Sequence, residues 1–239
     1  MVVNLAAVST SSSYEARDAQ ALRRVFETLH ADSCPLSYNF HMHTVCSDGQ
    51  LQPEDLMRQA IAIGLRGMAI TDHHSTEGYR RAHRWLETFC EAATWRGNPV
   101  PELRLWTGIE VTSKLLDTEV HILGYAFNPD SSTMKPYVQR ESPKGTEALA
   151  EHVIASIHAA GGLAVLAHPV RYRRLPEDLI AEAAKVGIDG VETYYAYNNP
   201  NPWCPSPCQT EQVQRLSSTY GLLNTCGTDT HGLSLLQRL

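Results

Sequence analysis

The chain has 239 residues, 43% of them hydrophobic and 19% charged, which suits one domain with a large core and excludes a wholly disordered chain. Its 20 basic and 26 acidic residues leave a net charge of −6, which argues against a generally basic, nucleic-acid-coating surface while leaving room for a local basic patch. No apolar run approaches the roughly 20 residues that span a bilayer, and Met1 to Ala7 contain no Lys or Arg of the kind that opens a secretory signal.

Residues 1–13 are small and polar and are expected to fray. From Tyr14 to His30, the residues Ala21, Leu22, Val25, Phe26 and Leu29 recur at helical spacing and predict an amphipathic helix ahead of the main repeat. Strands are expected at Tyr38–Thr44, Gly67–Thr71, Leu103–Val111, Glu119–Phe127, Leu163–Ala167, Gly190–Tyr195 and Leu222–Gly227. Between them helices are expected at Pro53–Ile63, Glu77–Arg96, Thr146–Ala160, Pro176–Val186 and Thr210–Tyr220, several of them opened by Pro and closed by Gly. Two long loops complete the pattern: Asn128–Gly145, with three prolines and expected to be exposed, and the NNPNPWCPSP run. Alternation of seven strands with helices predicts an α/β protein with a mainly parallel sheet, and seven β units in this length suggest a barrel. No internal repeat divides the chain, so the expected organisation is an N-terminal tail and helix (1–37) followed by a single barrel (38–239).

Six cysteines are scattered without a Cys-x-x-Cys pair; Cys204 and Cys208 have prolines between or beside them, a poor zinc knuckle. Scattered cysteines suit a reduced, cytoplasmic setting. The histidines are more telling, 11 in all, because imidazole is the commonest metal-ligating side chain. Strand one ends in His41-Met42-His43 with Asp48 just beyond; strand two ends in Asp72-His73-His74; Glu110, His121, His168, Asp229 and His231 stand on later strands or at their ends. Residues i and i+2 of a strand share a face, so His41 and His43 can reach one point. In parallel α/β folds function gathers at the carboxyl ends of the strands, and divalent cations would offset the cost of burying so many ionisable groups together. His30, His83, His152 and His158 fall in helical patterns and are read as surface or packing residues; His74 would point away from His73, and Cys46 is read as structural.

The ordered runs FHMHTVCSDG, AITDHHSTEGY, GIEVTS, VHILGYAF, AVLAHPVRY and GTDTHG resemble the successive motifs of the PHP (polymerase and histidinol phosphatase) domain family, over about residues 38–232. The resemblance implies a distorted (β/α)7 barrel, here with an extra N-terminal helix, and two or three divalent ions (Mn, Zn or Fe) at its carboxyl face. By the family pattern, His41, His43, Glu110 and Asp229 would hold one ion; Glu110, His121 and His168 a second, with Glu110 bridging; Asp48, His73 and His231 a third. AHPVRY with GIDGVETYY and GTDTHG most resembles the stand-alone phosphoesterases, a branch that includes a nucleoside 3′,5′-bisphosphate phosphatase and a 5′-to-3′ exoribonuclease. Two departures stand out. Only 46 residues separate His121 from His168, where that branch often carries a small extra domain, and NNPNPWCPSP replaces a commoner polar stretch.

The expected reaction is hydrolysis of a phosphoester, with a metal-bridged hydroxide attacking phosphorus and the ions neutralising transition-state charge. Arg171 and Tyr172 are the candidate substrate contacts, Arg171 as a bidentate phosphate grip and Tyr172 as a base-stacking or packing ring. The expected substrate is a small phosphorylated molecule, a nucleotide first, or a short oligonucleotide. The alternatives are a 5′-to-3′ exonuclease, a histidinol-phosphate phosphatase and a metal-binding regulatory module without turnover. A full set of nine ligand-competent positions speaks against the last.

Overall fold

The computed structural model describes residues 16–239. The expectation of a frayed tail, and the first residues of the expected opening helix, lie outside this range. Helix α1 runs over Ala19–Phe26, with the Asp18 carboxylate accepting the Ala21 N–H at 2.8 Å as its N-cap. It is therefore shorter than Tyr14–His30, and His30 lies beyond it rather than on a helix.

Strands β1 (Tyr38–Asn39), β2 (Gly67–Ala69) and β3 (Arg104–Trp106) form a parallel sheet in that order. Strands β4 (Gly108–Leu115), β5 (Thr118–Tyr125), β6 (Leu163–Leu166), β7 (Gly190–Tyr194) and β8 (Leu223–Cys226) form a second sheet. Here β5 runs antiparallel to β4 and β6, while β6, β7 and β8 are mutually parallel. Backbone bonds link the two sheets at both ends. The Phe40 N–H donates to the Cys226 carbonyl at 3.0 Å, and Met42 bridges to Thr230. At the other end His73, just past β2, bridges to Glu110 of β4. The strand expected at Leu103–Val111 is two pieces, β3 and β4, parted at Thr107, whose hydroxyl donates to the Phe127 carbonyl at 2.8 Å. β4 then outruns the expectation to Leu115, making a hairpin with β5. Counting β3 and β4 as one broken strand, seven strand positions follow one another round the molecule, with one reversed strand as the distortion.

The helices lie between the strands: α2 (Pro53–Ile63), α3 (Glu77–Trp95), α4 (Ala150–Ala159), α5 (Pro176–Lys185) and α6 (Pro207–Tyr220). Pro53, Pro176 and Pro207 occupy first turns, where the missing N–H costs nothing. α2 ends at Gly64 with φ 87° and α6 at Gly221 with φ 66°, left-handed stops that glycine adopts freely. α6 begins three residues before the expected Thr210, because Pro207, counted within the preceding loop, is its first residue. The 128–145 segment corrects a further expectation: Ser132–Tyr137 form a 3-10 turn that buries Met134 and Tyr137, so the loop is anchored to the core.

Alternation along the strands sorts the core. Ile109 and Val111 of β4 pack with Val153, Ile154 and Ile157 of α4 on the helical side, while Glu110 between them faces the other way. Met42 likewise packs with Leu56 and Met57 of α2. Enclosed by the strands is an aromatic cluster of Phe40, Trp106 and Tyr125, and Phe26 of α1 enters it edge-on, 5.0 Å from Phe40 and 5.6 Å from Tyr125 by ring centroids. α1 thus closes one end of the strand ring, and the polar residues gather toward the other.

Candidate metal centre

The chain that continues from β1 and the chain that continues from β8 are joined where their side chains matter. The Asp229 N–H donates to the His41 carbonyl at 2.8 Å, and the His43 N–H donates to the Thr230 carbonyl at 2.9 Å. His41, His43, Glu110 and Asp229 are all buried. Glu110 is the hub: its Oε2 lies 3.0 Å from both His41 Nε2 and His43 Nε2, and its Oε1 lies 2.7 Å from His121 Nδ1 and 3.5 Å from His168 Nε2. Asp229 Oδ1 is 3.4 Å from His41 Nε2 and 3.3 Å from His43 Nε2. Nearer the mouth, Asp48 Oδ2 faces His231 Nε2 at 3.2 Å and His73 Nε2 at 3.8 Å, and Asp48 Oδ1 faces His43 Nδ1 at 3.4 Å.

Three groups have ligand atoms within 4.8 Å of one another: His41, His43, Glu110 and Asp229; His43, Asp48, His73 and His231; and His73, Glu110 and His121. Eight of the nine residues singled out in the sequence stand in these groups, and the ninth, His168, adjoins them with its Nε2 3.5 Å from Glu110 Oε1. The division differs in detail from the family pattern, since His43 and His73 each stand in two groups, and His73 rather than His168 completes the trio with Glu110 and His121. Three buried imidazole nitrogens among the described residues, His43 Nε2, His74 Nδ1 and His168 Nδ1, have no hydrogen-bond partner. For His43 the nearest polar atoms are carboxylate oxygens 3.0 and 3.3 Å away. A buried imidazole nitrogen set against two carboxylates fits a position that a cation could take in place of the imidazole proton, and a mixed imidazole–carboxylate set suits Mn, Fe or Zn.

Electrostatics follow from the crowding. Burial alone would push His43 down, but the Asp229 and Glu110 carboxylates outweigh it and raise it to about 9. Burial would likewise raise Glu110 and Asp229, yet the surrounding imidazoles hold both well below the usual carboxylate range. His73 goes the other way: burial, with His43 and His121 nearby, depresses it to about 4 despite Glu110.

The supports are as informative as the ligands. Glu192, fully buried on β7, has Oε1 2.9 Å from His41 Nδ1 and accepts the His168 N–H on Oε2 at 2.9 Å. That second bond steadies an unusual backbone at His168, with φ 27°, and the Asp229 N–H bond to the His41 carbonyl does the same at Asp229, with φ 54°; both lie at positive φ, which costs most residues energy. Asp72 accepts the Thr44 N–H at 2.7 Å, the Thr44 hydroxyl at 2.8 Å and the Ser47 hydroxyl at 2.8 Å, and so shapes the loop that carries Asp48. Gly227 lets the last strand close on the first: a Cβ there would lie 2.2 Å from His41 Cβ. Sequence reasoning passed over Glu192, although a lone carboxylate inside the otherwise uncharged strand GVETY was the available signal.

Arg171 Nη1 lies 3.0 Å from Asp229 Oδ2 and donates to the Tyr195 hydroxyl at 3.2 Å. Tyr172 is tied down at its hydroxyl, which accepts the His121 N–H at 2.8 Å and donates to the Ala167 carbonyl at 3.3 Å. It braces His121, with its ring beside His168. His74 sits behind the centre, its Nε2 3.1 Å from the Thr112 hydroxyl. Cys46 has its sulfur 4.0 Å from Arg81 Nη1, outside all three ligand groups.

Comparison with known proteins places this architecture. The family model of the PHP domain matches residues 39–188. A 5′-3′ exoribonuclease of Haemophilus influenzae is 22% identical over 81% of this chain and 89% of its own length. The Escherichia coli 5′-3′ exoribonuclease Rnm is also 22% identical, over 81% of this chain and 85% of its own. Among solved structures, a candidate metal-dependent phosphoesterase from Bifidobacterium adolescentis superposes with a TM-score of 0.61 at 25% identity, over 83% of this chain and 88% of that one. An amidohydrolase from Chromobacterium violaceum gives 0.63 at 21% identity, over 82% of this chain and 88% of that one, a likeness of fold. The fold and the site define a metal-dependent phosphoesterase. The chain belongs to the PHP domain family.

Proposed function

We propose that this enzyme hydrolyses a phosphate monoester of a nucleotide, releasing phosphate and leaving the hydroxyl, with a 3′,5′-bisphosphate as the substrate class to test first, and that the nine candidate residues are its metal ligands. The observation that carries the reading is the sharing of Glu110: its two oxygens face different imidazole pairs, His41 with His43 and His121 with His168. A bridging carboxylate between two nitrogen-lined positions is the arrangement by which two divalent cations are held side by side. Such ions, when bound, supply Lewis acidity to the phosphoryl oxygens and acidify a water.

The chain's own residues supply the rest. Glu110 and Asp229 stay ionised and present oxygens to the cations. Glu192 holds His41 by Nδ1, which turns Nε2 toward the centre. Arg171, 40% exposed at its side chain, brings a guanidinium to the rim of the site, where it can grip phosphate oxygens.

A second reading, a 5′-to-3′ exonuclease acting on short RNA or DNA, draws support from the two 22%-identical relatives bearing that name. A hydrolysis panel separates the readings: mononucleotides, adenosine 3′,5′-bisphosphate, histidinol phosphate, sugar phosphates and 5′-phosphorylated oligonucleotides, each with added Mn, Zn or Fe. Released phosphate from the bisphosphate is expected, abolished by a chelator and restored by one of the ions. Mononucleotides released stepwise from oligonucleotides, with the bisphosphate untouched, would replace this reading by the exonuclease one. No hydrolysis of any ester by metal-loaded protein would remove both.

A further inference from the structure

Glu110 and Asp229 offer their oxygens differently. Both oxygens of Glu110 face imidazoles. Of Asp229 only Oδ1 does, 3.4 Å from His41 Nε2, 3.3 Å from His43 Nε2 and 3.5 Å from His231 Nδ1. Its Oδ2 accepts the Tyr195 hydroxyl at 2.7 Å and lies 2.8 Å from Arg238 Nε and 3.0 Å from Arg171 Nη1. A carboxylate oxygen has about two lone pairs, so three donors leave Oδ2 nothing to give a cation.

Among the three donors Tyr195 is the one withdrawn from solvent: it is buried, whereas the Arg171 and Arg238 side chains are partly exposed. Burial, with the Asp229 carboxylate beside it, pushes its hydroxyl well up, so the group stays protonated and donates. Tyr195 directly follows β7, which lies between β6 and β8 in the sheet. The continuations of those two neighbours carry His168 and Asp229, and Tyr195 meets both: its hydroxyl holds Asp229 and its ring packs edge-on against His168, 5.4 Å between centroids. Tyr195 is itself held from behind. Its carbonyl accepts the Ser206 N–H at 2.9 Å, the Ser206 hydroxyl accepts the Tyr197 N–H at 2.9 Å, and the Tyr197 ring lies 4.8 Å from its own. Trp203 of the same loop is buried in the core. The run NNPNPWCPSP (198–207) is thus the loop that closes behind Tyr195. Arg238 is held comparably, its carbonyl accepting the His231 N–H at 2.6 Å and the Gly232 N–H at 3.2 Å.

We propose that Tyr195 is a positioning residue of the metal centre, which together with Arg238 confines Asp229 to a single inward oxygen and fixes the ring of His168. This rests on the reading above of Asp229 and His168 as metal ligands. Tyr195 acts through those two residues and makes no contact with substrate in this role. Glu110 is left as the carboxylate whose two oxygens serve two positions, while Asp229 is kept from doing so.

The test compares wild type with Tyr195→Phe, which removes the hydroxyl and keeps the ring, and with Arg238→Ala and Arg238→Lys. Mn affinity is measured by competition with a chromophoric chelator, and the paramagnetic resonance spectrum of the bound Mn is recorded. Tyr195→Phe is expected to weaken Mn binding about tenfold and Arg238→Ala about 10- to 100-fold. Both should change the spectrum, because a freed Oδ2 alters the oxygens that Asp229 presents. Arg238→Lys, which still offers an N–H donor, should restore most of the affinity and the wild-type spectrum. On adenosine 3′,5′-bisphosphate and 5′-AMP at saturating Mn, Tyr195→Phe should lower kcat and leave KM within about twofold on both. Equal melting temperatures of the metal-free proteins set a folding defect aside. Wild-type affinity and spectrum in Tyr195→Phe would overturn the proposal, as would a raised KM with Mn binding unchanged, which would make Tyr195 a substrate contact. A wild type that binds no Mn would remove the metal-ligand reading and this proposal together. Mn bound without hydrolysis of any ester would remove the phosphoesterase reading alone, and the affinities and spectra would still decide the role of Tyr195.

Discussion

Glu192 shows how one buried side chain governs two candidate ligands. It fixes the ring of His41 through Nδ1 and the backbone of His168 through its N–H, and is itself fully buried. Glu192→Gln is expected to weaken divalent-metal affinity about 10- to 100-fold, the usual effect of losing an outer-shell carboxylate. A metal titration against a chromophoric chelator reads it, and unchanged affinity would show that His41 is held by other means. His43 makes a second prediction. With burial opposed and exceeded by Asp229 and Glu110, it stands at about 9, so at pH 7 the metal-free protein keeps a proton where an ion would bind. Burial is outweighed at His41 too, by Glu192 and Glu110, and at His121 by Glu110, which raises both, so bound ions must displace more than one proton and affinity should rise by at least about tenfold per pH unit toward pH 9. His73, depressed to about 4, already offers a free lone pair at neutral pH and adds no slope there. Titrations at pH 6.5, 7.5, 8.5 and 9.5 check this; a flat profile would contradict it. The cluster itself was legible because histidine and acid residues recur at the ends of successive strands. Glu192 was not, because its role depends on which strand lies beside which, and no local pattern carries that.

The elements repeat the lesson at larger size. α2 matched its expected limits, since Pro53 and Gly64 mark both ends by backbone chemistry. The limits of α1 did not follow from periodicity, because Asp18 starts it late and the chain leaves helical geometry after Phe26 while Leu29 still packs inward. The division of the third strand at Thr107 was equally hidden: it arises from tertiary bonds to Ala16 and Phe127, whose partners are remote in sequence. α1 contributes by what it inserts. Phe26 is fully buried among Phe40 and Tyr125, and Arg23 adds a bond to Asp189 at 2.7 Å. Phe26→Ala should cost about 3–5 kcal/mol, because the cavity opens in a packed aromatic cluster. Thermal unfolding of the metal-free variant measures it; a melting temperature equal to wild type would mean that the ring end is closed without α1.

For the molecule as a whole, the α/β class followed from the alternation of strands and helices and the distorted barrel from the family resemblance, whereas the reversal of β5 and the joining of the two sheets are properties of the folded chain. The candidate ligands are drawn from β4, β5 and the chain following β1, β2, β6 and β8, so a bound cation would tie the ring together. Saturating metal, about 100 times Kd, should stabilise the protein by about 2.7 kcal/mol. That corresponds to a rise of about 5–10 °C in melting temperature for a chain of this size. Scanning calorimetry with Mn, Zn or Fe and with a chelator tests it, and an unaltered transition would mean that the acids and imidazoles hold no ion.

The pairing of the first strand's continuation with the last has a consequence during synthesis. His41 and His43 leave the ribosome early, while Asp229 and His231 arrive nearly two hundred residues later. Until then Glu110 and the early imidazoles form only a partial cage, with the Asp229 oxygen missing from the innermost group. The innermost group of ligand-competent residues is therefore complete only once the last strand has been made and joined to the first.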